Sequence, residues 1–588
     1  MSKDNPTQAY FDAEMRYLRE AAKEFASQFP DRAAMLNLDK TGARDPSVEH
    51  LFQGFAFLMG RMREKLDDDF PELSEGLVDM VRPECLRMVP SLSVVELAPD
   101  VNTMKDCQTI HKGFEVRSKP VGPLGTRCRY TTTQDLALRA LALDAVKVGQ
   151  APDGRSTITL RFSRGRLMQW DCIDLQNIPL YLDGSEAVAT ALHHALSLNS
   201  PQIYLRREGA ERELHDVYFA VKGFSEDDRL WPRGDSQDGD HQLWLEYFSF
   251  PEKFMFLRLK GLEQVTFEPS MPWIELEVIL HKPWPRSLAL SHQNVRLHAV
   301  PVINAFALEV PPLTLDPLQS EYLLRPMDKD GGHVEIYSVD SVIAAKSSAR
   351  HKYVPFSRFQ HKGGMLPNHT PGHYYHTRLK RAPSGAYDTW LILGGDGFEL
   401  DRSKQAQTLS LKLTGTNGHT SRMALTKTVL DERGHSHEAQ FTVRNLCAPT
   451  MPFYPPDKDR FHWQVLSHLG PNFLPMLDSA EVLRNTLALY DWTGDERNRH
   501  RLQGIVEVKH HLLQRFEKGF LLRGVDIEVT LDGSRFAGEG DMVLFGLLLN
   551  HFFAQYADIH LFNQLTLVML PEKKCLRWDE NHSQRVPG

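Results

Sequence analysis

The chain is 588 residues long, 41% hydrophobic and 24% charged, with a formal net charge of −8. That length is more than one hydrophobic core organises and predicts roughly three or four domains, while the mild acidity excludes the basic footprint of a nucleic-acid binder. No apolar run reaches the ~20 residues that span a bilayer, the start MSKDNPTQAYFDAEM holds no apolar signal segment, and six scattered cysteines without a C-x-x-C pair predict reduced thiols in a cytoplasmic protein.

The first predicted elements are helices. Phe11, Met15, Leu18, Ala22, Phe25 and Phe29 are spaced 4-3-4-3-4, a heptad seam that stops at Pro30. Asp45 as N-cap and Pro46 in the first turn open a second helix. Its seam is Val48, Phe52, Phe55, Met59, Met62 and Leu66, and Leu51, Phe57 and Leu58 widen the apolar surface beyond it. A shorter helix is expected from Glu72 to Arg82, between Pro71 and Pro83. Such seams have two uses: the helices pack on each other, or they join helices of another chain. On the second use the partner-interface residues are Phe11, Met15, Leu18, Phe25, Val48, Phe52, Phe55, Met59 and Met62. Asp67, Asp68 and Asp69 lack the alternating ligands and glycine of a calcium loop and read as a solvated face or a salt contact.

After Pro90 the periodicity changes from helical to alternating. Ser91–Leu97 is a predicted strand, and Ile158, Leu160 and Phe162 mark the inward face of another. A short helix is predicted from Ser185 to Leu198, and a polar Gly/Asp-rich loop from Ser225 to Gln242. The stretch LEYFSFPEKFMFLRLKGL, residues 245–262, then packs aromatics around Pro251 and alternates from Phe254 onward, which predicts a buried strand after a proline turn. Trp273–Leu280 is expected to turn Ile274, Leu276, Val278 and Leu280 inward and Glu275 and Glu277 outward. Further on, Leu409, Leu411 and Leu413 alternate, and residues 542–556 are apolar on nearly every side, the mark of a buried helix.

These elements predict an α+β multidomain chain: N-terminal heptad helices (1–90), a β-rich domain with small helices (91–290), a mixed middle domain (291–400) and a C-terminal α+β domain holding the buried helix (401–588). Catalytic signatures are missing: there is no P-loop, no H-E-x-x-H and no G-x-S-x-G. His435 and His437 are two residues apart but have no Cys or third His at ligand spacing, so no metal, cofactor or catalytic residue is assigned.

Six segments together carry a resemblance. EYFSFPEKF (246–254), HAVPVINAF (298–306) with Glu321-Tyr322, the Leu409–Asn417 strand, WQVLSHLGPNF (463–473), LRNTLALYDW (483–492) and the block from Phe536 to Leu565 resemble, in order, the motifs of the TssF (ImpG/VasA) family of type VI secretion baseplate proteins. The chain departs from them at Ala299-Val300 and at Gly415, where the family often has cysteine. The resemblance implies a structural subunit without catalysis. Two copies would join one TssG in a wedge around the VgrG spike hub, with TssK and TssE as neighbours, docked without membrane insertion at the inner face of the inner membrane. The other class left open is a cytoplasmic β-rich enzyme acting on carbohydrate or peptide.

Overall fold

Leu243, Trp244, Tyr247 and Phe248 recur at helical spacing, and the chain forms a helix there, His241–Ser249. It ends before Pro251 because the residue ahead of a proline is pushed out of helical geometry; Phe250 takes φ −153° and ψ 73°. The computed structural model describes residues 82–198, 202–207, 210–231, 241–316, 319, 321–326, 332–345, 350–355, 373–381, 387–394, 408–419, 430–433, 441–456, 461–467, 474–517, 520–557 and 561–582, preceded by 11, 14–16, 18, 21–22, 25–26, 50–59 and 76–79. They fall into two compact units, Met1–Val81 with Asp457–Leu466, and Arg82–Pro456 with Ser467–Gly588.

In the first unit the described positions between 11 and 26 are helical, as are 50–59 and 76–79. Phe52 packs against Ala22, so the second seam partly covers the first. Ala56 is fully buried on the same helix. The helix Phe461–Ser467 buries Phe461 and Val465.

The second unit is β-rich, with five sheets of four or more strands and helices between them among the described residues, an α+β architecture. One antiparallel sheet runs Ala210–Glu213, Gln202–Arg207, Trp273–Ile279, Ser156–Arg164, Leu141–Gln150. Another runs Tyr218–Val221, Phe256–Lys260, Ile178–Leu182, Val295–Arg296. A third places Leu92–Pro99 between Ala299–Ile303 and Phe441–Asn445, so that strand is buried on both faces at its start. A fourth, from Phe306 to Thr416, keeps its own core of Leu308, Tyr322, Val342, Tyr353, Leu391 and Leu411.

The C-terminal sheet orders Ile505–Glu517, Phe520–Asp532, Leu561–Leu570 and Lys574–Arg577. Its middle pair is parallel. A parallel pair cannot close through a tight turn and needs a crossover; the helix Glu539–Ala554 provides it. That helix is the expected all-round apolar one, starting three residues earlier and ending two earlier than predicted. Gly540 lets it cross the helix Glu186–Ser197 at close range: a Cβ there would lie 2.2 Å from the Thr190 carbonyl oxygen.

Two sequence expectations are corrected. Glu277 does not face solvent; it is buried, with its carboxylate 2.6 Å from Arg206 Nε, because the neighbouring strand Gln202–Arg207 brings a guanidinium over it. The polar segment 225–242 is not a loop throughout. Its end already belongs to the helix that opens the aromatic stretch, while Leu230 and Trp231 are buried.

Candidate interaction sites

The segments that stand out in the sequence meet in the interior. Glu246 and Lys253 form a buried ion pair, and Glu246 Oε1 also accepts from the Leu230 amide at 3.0 Å and from Gln242 Nε2 at 2.8 Å. Trp244 lies edge-on to Phe545 and Phe552 of the crossover helix, with ring centroids 5.4 Å and 6.0 Å away. Asn498 donates to the Phe248 carbonyl at 3.1 Å and to Asp491 Oδ1 at 3.2 Å, fastening the LYDW segment to the aromatic helix. Arg501 Nε donates to buried Asp541 at 3.1 Å, so the crossover helix is held at its start.

Asn304 and Asn417 form a second junction. Asn304 donates to the Arg129 carbonyl at 2.7 Å and to Asn417 Oδ1 at 2.9 Å. Its own Oδ1 accepts from Thr416 Oγ1 and from the Asn417 amide, both at 2.7 Å. A side-chain amide has two donors and two lone pairs, and all are used at this fully buried position. The junction ties Ala299–Ile303 to the end of Thr408–Thr416, strands of two different sheets. These residues are conspicuous for architecture, since each is buried and consumed by a partner.

His298 belongs to the same segment. It holds a left-handed φ of 54°, and its Nε2 accepts from the Arg139 amide at 3.2 Å. Burial, with the Arg139 guanidinium as a second cause, pushes its pKa down to about 3. A depressed folded-state pKa means stability that is present above the unfolded value near 6.5 and is lost as pH falls through the folded one. We therefore expect acid destabilisation to begin near neutrality, reaching about 2 kcal/mol from this residue alone by about pH 5. His298→Asn keeps an acceptor and tolerates the left-handed backbone. Melting curves between about pH 7 and about pH 5 should be flatter for it than for the parent; parallel curves would refute the assignment.

A cleft of about 720 Å³ is lined by Lys112, Asp135, Arg139, Lys222, Asp228 and Arg258 among others. Its guanidinium groups and Asp228 are already paired. Arg258 meets Asp228 at 2.8 Å and Arg139 meets Asp174 at 2.8 Å. Lys222 donates to Gln134 Oε1 at 2.5 Å, and burial, opposed by Asp228, pushes its ammonium down to about 8. Two thiols with buried surroundings do not supply nucleophiles either: desolvation drives half-buried Cys447 up to about 12 and buried Cys128 up to about 11. Among the described residues no three His, Cys, Asp or Glu side chains are grouped to hold a metal ion. His435, His437 and Asp67–Asp69 lie outside the described residues.

Among the described residues, exposed apolar side chains gather most densely on two elements. On the helix at 50–59, Leu51 is 71% exposed, Phe55 51% and Leu58 63%, with Phe57 and Met59 also exposed. Of the seam residues expected to contact a partner, Met15 is buried, Phe11, Leu18 and Phe52 are half-buried, and Phe25, Phe55 and Met59 are exposed. Val48 and Met62 lie outside the described residues. The second element was missed in the sequence. On the strand Ile505–Glu517, Leu512 is 67% and Phe516 82% exposed, with Val506 and Leu513 exposed too. The available signal was apolar residues on both faces between Lys509 and Arg515, a pattern with no single core side.

Contiguous apolar exposure of this kind marks surfaces for other proteins. Comparisons with known proteins point the same way. A family model described as "Type VI secretion system, TssF" matches residues 3–585. The type VI secretion system component TssF1 of Pseudomonas aeruginosa (strain PAO1) is 26% identical over 625 residues, covering 98% of each chain. A chain in the cryo-electron microscopy structure of a TssK-TssF-TssG baseplate subcomplex superposes with a TM-score of 0.82 at 52% identity, over 92% of this chain and 100% of that one. A chain of a type VI secretion baseplate complex gives 0.71 at 47% identity, over 99% and 100%.

Proposed function

The chain belongs to the TssF family of type VI secretion, and from that premise we propose how it serves in the baseplate. It is a structural baseplate component, not an enzyme. It assembles with TssG and TssK, the partners named with the similar chain of the subcomplex. The observation that carries this reading is that similarity, which extends over nearly the whole chain and includes the elements that expose apolar surface.

In finer detail, two copies of the chain join one TssG in a wedge, TssE and the VgrG spike hub are further neighbours, and the wedge docks at the cytoplasmic face of the inner membrane. The N-terminal seams form the contact with TssG as part of a helix bundle. The exposed Leu51, Phe55 and Leu58 support this, since a helix whose apolar residues were satisfied within its own unit would not present them to water. A wedge that holds during assembly and rearranges once needs large packed interfaces more than it needs a pocket. No helix among the described residues is long and apolar enough to cross a membrane.

The test is co-expression. With TssG and TssK the chain should purify as a stoichiometric complex. Alone it should aggregate, because unpaired apolar helix faces self-associate. A monodisperse monomer by light scattering that ignores added TssG would overturn the reading.

A further inference from the structure

The strand Ile505–Glu517 is the edge of the C-terminal sheet: one side pairs with Phe520–Asp532, and no strand pairs with the other among the described residues. Edge strands of this length are usually shortened, bent or covered, because their open backbone groups template further pairing. Here the third strand starts pairing only at Arg523, so residues 515–517 and 520–522 extend past it as a two-stranded ribbon. Phe516 stands exposed on that extension, and Leu512 stands exposed on the three-stranded part before it.

The residues along this edge are symmetric about His511. Val506 and Phe516 lie five residues to either side, and Glu507 and Arg515 lie four to either side. In an antiparallel pairing of two identical strands about one residue, each position faces its mirror image. Centred on His511, Glu507 of each copy would face Arg515 of the other. Leu512 and Phe516 lie beyond the bulge at Val506 and share one face by their even spacing, so the two copies would carry their exposed pairs on the same face of one joined sheet. A centre one residue later would set Glu507 against Glu517 and Lys509 against Arg515, which like charges disfavour. Within the chain Glu507 holds Lys509 at 2.7 Å and Arg515 holds Glu580 at 2.7 Å. These contacts keep both side chains on the strand, and the guanidinium can bridge a second carboxylate.

We infer that a second copy of this chain docks here, its Ile505–Glu517 strand adding antiparallel to the same strand and centred on His511. The inference rests on the second-copy reading above and gives it a surface. It is tested on the full chain co-purified with TssG, with the exposed Cys172 and Cys575 replaced by serine. Facing residues across such a pair have Cα atoms about 4.5–5.5 Å apart, within disulfide reach. H511C should therefore cross-link to itself under mild oxidation and give a dimer on a non-reducing gel. L513C should not, because its mirror position is 509 and the two thiols would be offset by about four residues, or ~13 Å, along the strand. Chains carrying K509C and L513C, mixed, should cross-link with each other. If H511C stays uncross-linked in a complex that contains TssG, or if L513C cross-links to itself as readily, the strand pairing is wrong while the baseplate reading stands. Loss of TssG from the parent preparation would instead strike the reading beneath it, and the cross-link is read on the chain in the same gel.

Discussion

Replacing Phe55 and Leu58 together with aspartate is expected to abolish co-purification with TssG while the Arg82–Pro456 and Ser467–Gly588 unit melts as in the parent. Phe55 is 51% and Leu58 63% exposed, so the free chain loses less packing when they change than it would at a buried position. Burial of one such side chain at an interface is worth about 1.5–3 kcal/mol. Losing two, with a carboxylate to desolvate at each site, weakens association by at least ~100-fold. Phe52→Ala supplies the contrast. Phe52 packs against Ala22, so that truncation acts on the chain's own helices and should lower the stability of the first unit before it affects TssG. If the double aspartate variant still assembles at the parent yield, the helix face is not the contact. If Phe52→Ala and the aspartate pair behave alike, the division between an inward and an outward side of the seam is wrong.

Lys253→Met is expected to be the most damaging single change in the second unit. It removes one partner of a fully buried ion pair and leaves the Glu246 carboxylate among Trp244, Tyr247 and Phe254. Breaking such a pair from one side costs about 3–5 kcal/mol, a large part of the ~5–15 kcal/mol that separates a folded domain from its unfolded chain. Insoluble expression or a fall in melting temperature on the order of 10 °C is the result to look for. Glu246→Gln alongside Lys253→Met should recover most of the loss. The amide oxygen can still accept from the Leu230 amide and from Gln242, and no unpaired charge remains. A single variant that melts with the parent, or a double variant no better than the single, would show that the pair does not hold this core together.

The EYFSFPEKF segment thus has a physical reason for its composition. Its aromatics fill the space under the crossover helix, its proline ends one helix and starts a turn, and its Glu and Lys satisfy each other inside. Asn304 and Asn417 are alike in this respect: 113 residues apart, they close one hydrogen-bonding circuit. Neither segment in isolation reveals that the other is its partner.

Local pattern alone determined a good deal of this protein. Period-two alternation located Ser156–Arg164, Trp273–Ile279 and Thr408–Thr416, and the continuous apolar run of Glu539–Ala554 announced a buried helix. These signals survive because backbone periodicity fixes which residues share a face wherever the element finally lies. Whether a face is covered, however, depends on elements distant in the chain. Glu277 reads as a solvent-facing strand residue until Arg206 is placed over it. Phe52 and Phe55 belong to one seam, yet Phe52 packs against Ala22 while Phe55 is half exposed. Leu512 and Phe516 carry no local mark of exposure, and it is the order of the C-terminal sheet that leaves them at an edge with no strand beyond among the described residues. Pairing and burial are properties of the assembled neighbours, so it took the tertiary structure to separate the apolar residues that build this protein from those left for its partners.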